Sequence, residues 1–299
     1  MKEKIVKIIA RLFRKSPHFR GKYRIGKFIQ KLFIKKNNWL KPDFFIQLKN
    51  KSKLFIDIRS NTHSIPFWTG MRDDEVIHLI IKNLTPNSVV LDIGANIGYY
   101  TIPIAKRMAD LNGCIHAFEP VKENYYSLQK AVEKNEVEKY VVLNKFALGD
   151  YNGNIEIVKT EKGKSSNAVL SFNDTNYDKE HTKETIEIKM LDDYINKLNR
   201  CDFIKVDIEG AEYFLIKGGA TFIEKYKPVI YGEFNAFFLR KFGYTLLDIW
   251  KILAPMGYEA YVEDRIKKGK FIKTEVKENL IDVLFLPTNK TETKKWITH

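Results

Sequence analysis

Residues with ligand-binding chemistry lie close together in the stretch DIGANIGYYT. Asp92 ends a short apolar run, and Gly94, Asn96 and Gly98 follow it at alternate positions. A buried strand that ends in a glycine turn and continues as a helix is the part of an α/β sheet that receives a nucleotide-like ligand. Glycine lets the backbone approach a ligand closely, and the first N–H groups of the helix, near Thr101, can bind an anionic group. The alternative is a tight turn without a ligand.

The glycine spacing distinguishes between two kinds of nucleotide ligand. The dinucleotide-binding pattern is G-x-G-x-x-G. If Gly94 is its first glycine, the second position is Asn96 and the third is Tyr99. The pattern that is present, D-x-G-x-N-x-G, suits a ligand with a free amino acid end better than a pyrophosphate, and S-adenosylmethionine is such a ligand. The sequence therefore predicts S-adenosylmethionine rather than a nicotinamide cofactor.

Two acidic residues further along the chain complete the predicted cofactor site. Glu119 ends the next strand, where a carboxylate can accept hydrogen bonds from ribose hydroxyls. Asp150 follows the third strand and could accept a hydrogen bond from an adenine amino group, with Ala147 and Leu148 as apolar neighbours. The alternatives are a solvated loop glutamate at 119 and an ordinary turn at 150.

A second cluster, in KVDIEGAE, contains groups that could move a proton. Lys205, Asp207 and Glu209 alternate, so they share one side if the chain stays extended. Glu212 would lie in the first turn of the next helix, where negative charge is favoured. Crowded carboxylates raise at least one pKa, which makes a competent base near neutral pH, and Lys205 can balance the charge. The alternative is an ion-paired network that caps the helix. Glu233, at the end of the following strand, projects toward the same edge.

Strands and helices alternate from residue 88 onwards, which predicts a parallel sheet. The predicted strands cover residues 88–93, 114–118, 140–147, 203–208, 229–234, 258–262 and 281–286, with further β-like runs at 155–158 and 185–190. Helices are predicted from about 122 to 134 and from 246 to 253. The polar stretch 159–183 is typical of a binding loop or lid.

The amino-terminal arm has a different composition from the rest of the chain. Residues 1–50 contain 15 Lys or Arg and 2 acidic residues, a net charge of +13, whereas the remaining residues have a net charge of +1. Apolar residues at helical spacing lie between the basic ones at Ile5, Ile8, Ile9, Leu12 and Phe13, and a second stretch over 25–33 is similar in style. We recognise no internal repeat. The pattern predicts a basic amphipathic arm over residues 1–42 that binds an anionic membrane surface. The alternatives are a helix packed on the body and RNA binding.

Four regions are predicted. The arm (1–42) precedes a hairpin and a helix (43–84), in which the helix begins at Asp73 or Asp74. A catalytic domain (85–287) and a frayed polar tail (288–299) follow. Cys114 and Cys201 are expected to be buried thiols without metal-ligand spacing, so no metal site is predicted. No apolar run reaches membrane-spanning length and no signal peptide is recognised, which favours a cytoplasmic protein, peripheral on the inner face of the membrane.

The segments DIGANIGYYT, FEP, ALGD and KVDIEGAE, in this order, resemble the FkbM family of S-adenosylmethionine-dependent methyltransferases over about residues 72–262. The resemblance implies a class I methyltransferase (Rossmann-like) α/β fold, with a seven-stranded, mostly parallel sheet and helices on both faces. It also implies O-methylation of a hydroxyl on a sugar or another secondary metabolite.

The resemblance also implies roles for individual residues. Four residues would hold the methionine end of the cofactor, namely Asp92, Gly94, Asn96 and Gly98. Glu119 would bind the ribose, and Asp150 would lie on the adenine side. The carboxylates and the lysine of KVDIEGAE match the family's acceptor-side motif; these are Lys205, Asp207, Glu209 and Glu212. The loop GKSSNAVL resembles the family's serine-rich loop over the acceptor.

The resulting hypothesis is methyl transfer to a hydroxyl, on a sugar of a surface glycan, on a glycolipid precursor or on a secondary metabolite. Asp207 is the first candidate for the base or the acceptor-orienting group, and Glu209 is the second. Mg²⁺ would suit these oxygen ligands, although no spacing requires it. One rival is a nucleic-acid base methyltransferase, which usually needs an aromatic platform; the sequence has none here before Tyr213. The other rival is a non-catalytic cofactor-binding or scaffold protein.

Overall fold

The structure is a computed structural model. It describes residues 2–17, 19–34, 41–70, 74–160, 169–170, 181–264, 269–289 and 296–297. The helices within these ranges are α1 (Lys2–Lys15), α2 (Lys22–Phe33), α3 (Asn61–Thr69), α4 (Asp74–Asn83), α5 (Thr101–Leu111), α6 (Lys122–Asn135), α7 (Glu212–Gly218), α8 (Ala220–Tyr226), α9 (Ala236–Lys241) and α10 (Leu246–Leu253). The strands are β1 (Asp43–Gln47), β2 (Lys53–Asp57), β3 (Val89–Ile93), β4 (Cys114–Phe118), β5 (Val141–Asn144), β6 (Ala147–Gly149), β7 (Gly153–Thr160), β8 (Val169–Leu170), β9 (His181–Met190), β10 (Phe203–Val206), β11 (Val229–Glu233), β12 (Tyr258–Glu263), β13 (Phe271–Lys273) and β14 (Asp282–Pro287).

The central sheet has eight strands in the order β13-β12-β14-β11-β10-β3-β4-β5. The five strands from β11 to β5 are parallel, whereas β14 is antiparallel to β11 and β12, and β13 is antiparallel to β12. The α/β prediction is confirmed, but the predicted number of seven strands is wrong and the sheet is mixed. The additional strand, β13, has three residues and lies at the edge, so it is too short for an alternating pattern to reveal.

Alternating side chains of the central strands build a separate core on each face of the sheet. In β3, Val90 packs into the core that α4, α5 and α6 cover, whereas Leu91 and Ile93 pack into the core that α7, α8 and α10 cover. Neighbouring strand β10 follows the same rule with Phe203 and Ile204. Helices therefore lie on both faces, as predicted, and both faces of the central strands are apolar because neither meets water.

A second sheet, in the order β6-β9-β7-β8, lies beside the first. Its strands β7 and β9 correspond to the β-like runs predicted at 155–158 and 185–190. The prediction of one strand over 140–147 is wrong, because the chain leaves the central sheet after Asn144 and enters the second sheet at Ala147. The Asn144 side chain marks the exit: its amide donates to the carbonyl oxygen of Ala117, and its oxygen accepts from Tyr194 at 3.0 Å.

The amino-terminal part packs on the central domain through β2, which contacts α6, and Lys53 exchanges hydrogen bonds with the Asn135 side chain there. Strands β1 and β2 form the predicted hairpin, and α4 begins at Asp74, while Asp73 lies outside the described residues. Helix α3 was not predicted, because it is buried on most sides and so has no apolar stripe. The one sequence signal for it is Ser60, whose side chain accepts a hydrogen bond from the backbone N–H of His63 as an N-cap.

The carboxyl-terminal tail contributes to the core. Trp296 is buried, and its ring stacks on that of Phe203 with centroids 5.1 Å apart. The prediction of a frayed tail is therefore wrong at this residue; an isolated tryptophan among polar residues carries no periodic signal. Cys201 is buried as expected, but Cys114 is only half-buried.

We expect Trp296→Ala to lower the free energy of unfolding by about 3 kcal/mol, because it removes a buried aromatic side chain from the core. Chemical denaturation of the two proteins measures the difference. Phe237→Ala is the control, since Phe237 is 64% exposed, and its effect should stay within about 0.5 kcal/mol. Equal stability of the Trp296→Ala variant and the wild type would show that the tail does not hold the core.

Candidate functional site

A cavity of about 300 Å³ lies at the carboxyl edge of the central sheet. Strand order reverses there, since the chain proceeds from β3 to β4 and β5 on one side and places β10 and β11 on the other. Such a switch point is where open α/β sheets bind ligands. Six of the predicted site residues line the cavity, namely Gly94, Asn96, Glu119, Asp150, Asp207 and Glu209, and Glu233 joins them. The other five lie outside its lining, namely Asp92, Gly98, Thr101, Lys205 and Glu212.

Gly94, directly after β3, lies close to the backbone that follows β10. Its φ is +82°, and a Cβ there would lie 1.9 Å from the carbonyl oxygen of Asp207. Glycine is thus required by the neighbouring backbone of Asp207, in addition to any ligand. Gly98 has a φ of +89°, and a Cβ there would meet Leu128 of α6 at 2.9 Å. Gly98 therefore serves helix packing.

Glu119 is buried and well supplied with hydrogen-bond donors. Its Oε2 accepts from the backbone N–H of Asn96 at 2.9 Å, and its Oε1 accepts from the N–H of Val121 at 2.9 Å and the Asn124 amide at 3.4 Å. Burial raises the pKa of Glu119 to about 7, although these three donors favour the ionised form. A carboxylate has about four acceptor sites, so Oε2 keeps one for a ligand donor.

A hydrogen-bond chain from the amino-terminal part fixes Glu119. The Asn124 side chain donates to Glu119 through its NH₂ group. Its other atom, Oδ1, therefore accepts a hydrogen bond from His63 Nε2 at 3.1 Å. His63 Nδ1 in turn accepts from the backbone N–H of Asp57 at 3.2 Å. Burial lowers the pKa of His63, which agrees with the neutral ring that this chain requires. Sequence reasoning missed His63 and Asn124, since neither lies in a recognisable motif.

Asp92 and Lys205 lie beneath the cavity on neighbouring strands. They are register partners on β3 and β10, and both are buried. Asp92 Oδ2 accepts from Thr101 Oγ at 2.5 Å, while Oδ1 has no hydrogen-bond partner among the described residues. Lys205 Nζ donates to Asp207 Oδ2 at 3.1 Å and lies 4.9 Å from the centre of the Tyr100 ring. Burial raises the pKa of Asp92, and the Lys205 charge opposes that rise.

The turn after β10 carries Asp207 and Glu209 into the cavity. The condition that the chain stays extended as far as Glu209 is not met, because β10 ends at Val206, two residues before the predicted end, and Glu209 has a φ of +56°. Gly210 follows with a φ of +102°, and a Cβ there would lie 2.7 Å from the carbonyl oxygen of Phe238. Glu212 is buried below the turn, and its Oε1 accepts from the backbone N–H groups of Ile208 and Gly210 at 3.3 and 3.1 Å. Glu212 thus stabilises the turn instead of facing a ligand.

Glu209 has the pKa of a group that exchanges protons near neutral pH. Burial, together with the carboxylates of Asp207 and Glu233, raises the pKa of Glu209 to about 7. Crowding was the cause expected from the sequence, but burial is the larger one. Burial likewise raises the pKa of Glu212 to about 7, against the hydrogen bonds it accepts.

The remaining walls of the cavity are mainly apolar. Asp150 lies at the rim, where Lys217 Nζ donates to it at 2.8 Å. Apolar lining residues come from the core strands, the second sheet and α3, and include Phe118, Phe146, Leu148, Ile157, Ile188 and Ile65. Phe214 of α7 also lines the cavity. The serine-rich segment lies outside the described residues except for Val169 and Leu170. Within the described ranges, no group of three or more His, Cys, Asp or Glu side chains could hold a metal ion.

Fold and site together define a doubly wound α/β protein with a nucleotide-type cavity at its switch point. The model of the methyltransferase FkbM domain matches residues 92–260. This match covers more than half of the chain, so the protein belongs to the FkbM methyltransferase family, and the family prediction is confirmed.

Two curated relatives and one solved structure were compared with the chain. Methyltransferase sdnD from Sordaria araneosa is 28% identical over 46% of this chain and 62% of its own length. Methyltransferase 1 from Beauveria bassiana is 25% identical over 44% of this chain and 58% of its own length. The chain therefore spans about 60% of the length of these relatives. The crystal structure of methyltransferase FkbM from Methylobacillus flagellatus is 15% identical, with a TM-score of 0.44, and the alignment covers 93% of this chain and 58% of that one.

Gly94→Ala should disrupt the site, because the added Cβ must push the Asp207 carbonyl aside. Gly243→Ala is a matched control: Gly243 also has a positive φ, of +79°, but nothing lies within 4 Å of a Cβ there. We expect the control to lose only about 1 kcal/mol of stability from backbone strain. Gly94→Ala should lose more stability, and its affinity for S-adenosylmethionine in calorimetry should fall at least about tenfold. Equal losses in the two variants would contradict the close contact.

Proposed function

We propose that the protein transfers a methyl group from S-adenosylmethionine to a hydroxyl of a sugar-containing or related metabolite. Membership of the FkbM family supports the cofactor and the type of reaction. The observation that carries the proposal is that one cavity joins a cofactor-type carboxylate, Glu119, to a carboxylate with a pKa of about 7, Glu209. Carboxylates are good partners for hydroxyl donors, which favours an alcohol or a sugar as acceptor.

The residues around the cavity fit S-adenosylmethionine. Glu119 keeps one acceptor site for a ribose hydroxyl. Asn96 Oδ1 is buried and has no hydrogen-bond partner among the described residues, so it could accept from the amino group of the methionine end. Phe146 and Leu148 offer apolar contact for the adenine ring, and Asp150 at the rim could accept from its amino group. Asp92, Gly98 and Thr101 would support this site from below.

The reaction places different demands on the two carboxylates. S-adenosylmethionine, when bound, supplies a methyl group that is already activated by the positive charge on sulfur. Glu209 accepts the proton that the acceptor hydroxyl loses as its oxygen is methylated, which its pKa allows near neutral pH. Asp207, held by Lys205, orients the hydroxyl through a hydrogen bond. Asp207 thus keeps the orienting role expected from the sequence, and Glu209, the second candidate, becomes the base. Mg²⁺ has no assigned step.

Cofactor binding tests the first half of the proposal. Calorimetry should detect binding of S-adenosylmethionine and S-adenosylhomocysteine, but not of NAD. Glu119→Gln should weaken binding, because the neutral amide is a poorer acceptor for ribose hydroxyls. Glu224→Gln serves as the control and should bind like the wild type, because the Glu224 side chain is 56% exposed and does not line the cavity. Tight NAD binding without S-adenosylmethionine binding would contradict the proposal.

Variants of the two carboxylates test the second half. With labelled S-adenosylmethionine and an acceptor found by screening glycan precursors, Glu209→Gln should lower kcat by roughly 10²–10⁴ while cofactor affinity changes little. The wild-type rate should rise with pH through about 7, because Glu209 must lose its proton to act as a base, and the Gln variant should lack this rise. Asp207→Asn should also lower kcat, and it should move the rise of the rate to lower pH, because the Asp207 charge helps to raise the pKa of Glu209. A Glu209 variant that melts early yet turns over normally per folded molecule would assign Glu209 to the scaffold.

The same screen distinguishes the rival functions. The sequence argument against a base substrate relied on the lack of an aromatic residue near the fourth strand, but Phe214, Phe146 and Tyr151 line the cavity. RNA therefore belongs in the acceptor panel. Methylation of RNA alone would replace the hydroxyl proposal, and cofactor binding without turnover on any acceptor would favour a non-catalytic protein.

A further inference from the structure

Helices α1 and α2 present the same pattern of buried and exposed residues. On α1, Val6, Ala10 and Arg14 are buried; on α2, Gly26 and Gln30 are buried at the equivalent spacing. The opposite face of each helix is exposed. Apolar residues of the predicted amphipathic pattern lie on this exposed face: Ile8 and Leu12 are 60% and 63% exposed, and Phe28 and Leu32 are 61% and 64% exposed.

The two helices are an internal repeat with an offset of 20 residues. KIVKIIARLF (4–13) aligns with RIGKFIQKLF (24–33): five of the ten positions are identical, and three more keep their charge or apolar character. The two positions that differ, 6 with 26 and 10 with 30, are the buried ones. The repeat therefore includes the exposed positions as well as Ile9 and Ile29, which are partly buried against the core, and the expectation of no internal repeat is wrong.

The buried faces attach both helices firmly to α3. Arg14 donates to the carbonyl oxygen of Phe67 at 2.7 Å, and Trp68 Nε1 donates to Gln30 Oε1 at 3.2 Å. A Cβ at Gly26 would lie 2.3 Å from the ring of Trp68, so α2 packs closely there. Both helices turn their inner faces to α3, and they also contact each other, so the two outer faces belong to neighbouring helices.

The outer surface combines an apolar stripe with a basic stripe. Ile5, Ile8 and Leu12 form the apolar stripe on α1, and Ile25, Phe28 and Leu32 repeat it on α2. Exposed basic residues flank each stripe at equivalent positions, at Lys4 and Arg11 on α1 and at Arg24 and Lys31 on α2. We call this surface, formed by these ten residues, the outer arm face.

We propose that the outer arm face docks onto the surface of an anionic lipid bilayer. A helix with an apolar stripe beside Lys and Arg lies in the plane of the interface, where the apolar side chains enter the acyl boundary and the cations contact anionic headgroups. Among the described helices, none is long and apolar enough to cross a membrane. Two such helices fixed side by side offer one continuous interfacial surface.

Charge and apolarity together select this partner over two others. RNA would gain from the cations but not from exposed isoleucine and leucine. A second copy of the same face would bury the apolar stripe but oppose two arms that each carry a net charge of +13 over residues 1–50. An anionic bilayer uses both stripes at once. The inference does not depend on the proposed methyl transfer, since vesicle binding needs no turnover.

Vesicle flotation of the full chain tests the proposal with three variants. The apolar variant changes Ile8, Leu12, Phe28 and Leu32 to Gln, and the basic variant changes Lys4, Arg11, Arg24 and Lys31 to Gln. The control changes four exposed apolar residues elsewhere, Tyr126, Val142, Phe237 and Ile272, to Gln. All changed residues are on the surface, and circular dichroism confirms folding.

The wild type and the control should bind vesicles of three parts phosphatidylcholine to one part phosphatidylglycerol. Their affinity for vesicles of pure phosphatidylcholine should be at least about tenfold lower. The apolar and basic variants should each lose about tenfold or more in affinity for the anionic vesicles. If the apolar and basic variants both bind the anionic vesicles with the affinity of the wild type, the proposal is overturned. RNA binding that is lost only in the basic variant, or a dimer that the apolar variant converts to a monomer without an effect on vesicles, would overturn it in favour of RNA or self-association.

Discussion

The ammonium group of Lys205 is enclosed between two strands and two carboxylates. Asp92 lies opposite it on β3, and Asp207 comes directly after its own strand, β10. A buried charge is tolerated only when it is paired, and removing one partner leaves the other uncompensated. Because Asp92 is fully buried and Asp207 reaches the cavity, Lys205 links the interior of the sheet to the site. The position of Asp207 thus depends on a charge that is itself held by the core.

Close backbone contact adds a second constraint at the same edge. Gly94 leaves room for the Asp207 carbonyl, and Gly210 leaves room for that of Phe238. Between them, the turn from 207 to 211 has two consecutive residues with positive φ, and Glu212 binds two of its N–H groups. A strained turn persists only when its surroundings determine it. Here the close contacts at Gly94 and Gly210 and the buried carboxylate of Glu212 determine the turn. This turn places Asp207 and Glu209 at the cavity.

The sequence predicts the strands of the central sheet well, because their long apolar runs and the glycine turn are local signals. Residues that follow parallel strands meet at one edge, so Glu119, Asp207, Glu209 and Glu233 could be placed together without a structure. Roles that depend on side-chain direction could not be predicted in this way. Glu212 belongs to the same motif as Glu209, yet it points below the turn.

Contributions from distant segments were also beyond sequence reasoning. Helix α3 is buried on most sides and lacks a period, so neither its packing under the arm nor the contact of His63 with Asn124 has a local signal. The repeat in the arm has a clear pattern, but the pattern alone left open whether its apolar residues face the body or a membrane surface. Only the burial of Val6 and Gly26 shows that the opposite side faces the protein.

Three glutamates with raised pKa values make folding of this protein a proton-binding process; Glu119 and Glu212 are buried, and Glu209 is partly buried. Glu119, Glu209 and Glu212 each have a pKa of about 7 in the folded chain, above the value of 4.5 expected when unfolded. Between these two values the folded state holds protons that the unfolded state has released. By linkage, their contribution to stability is complete below about pH 4.5, declines as pH rises and is lost above about 7. A ligand that binds the ionised form of Glu119 would then release a proton on binding, so its measured enthalpy should vary with the ionisation enthalpy of the buffer.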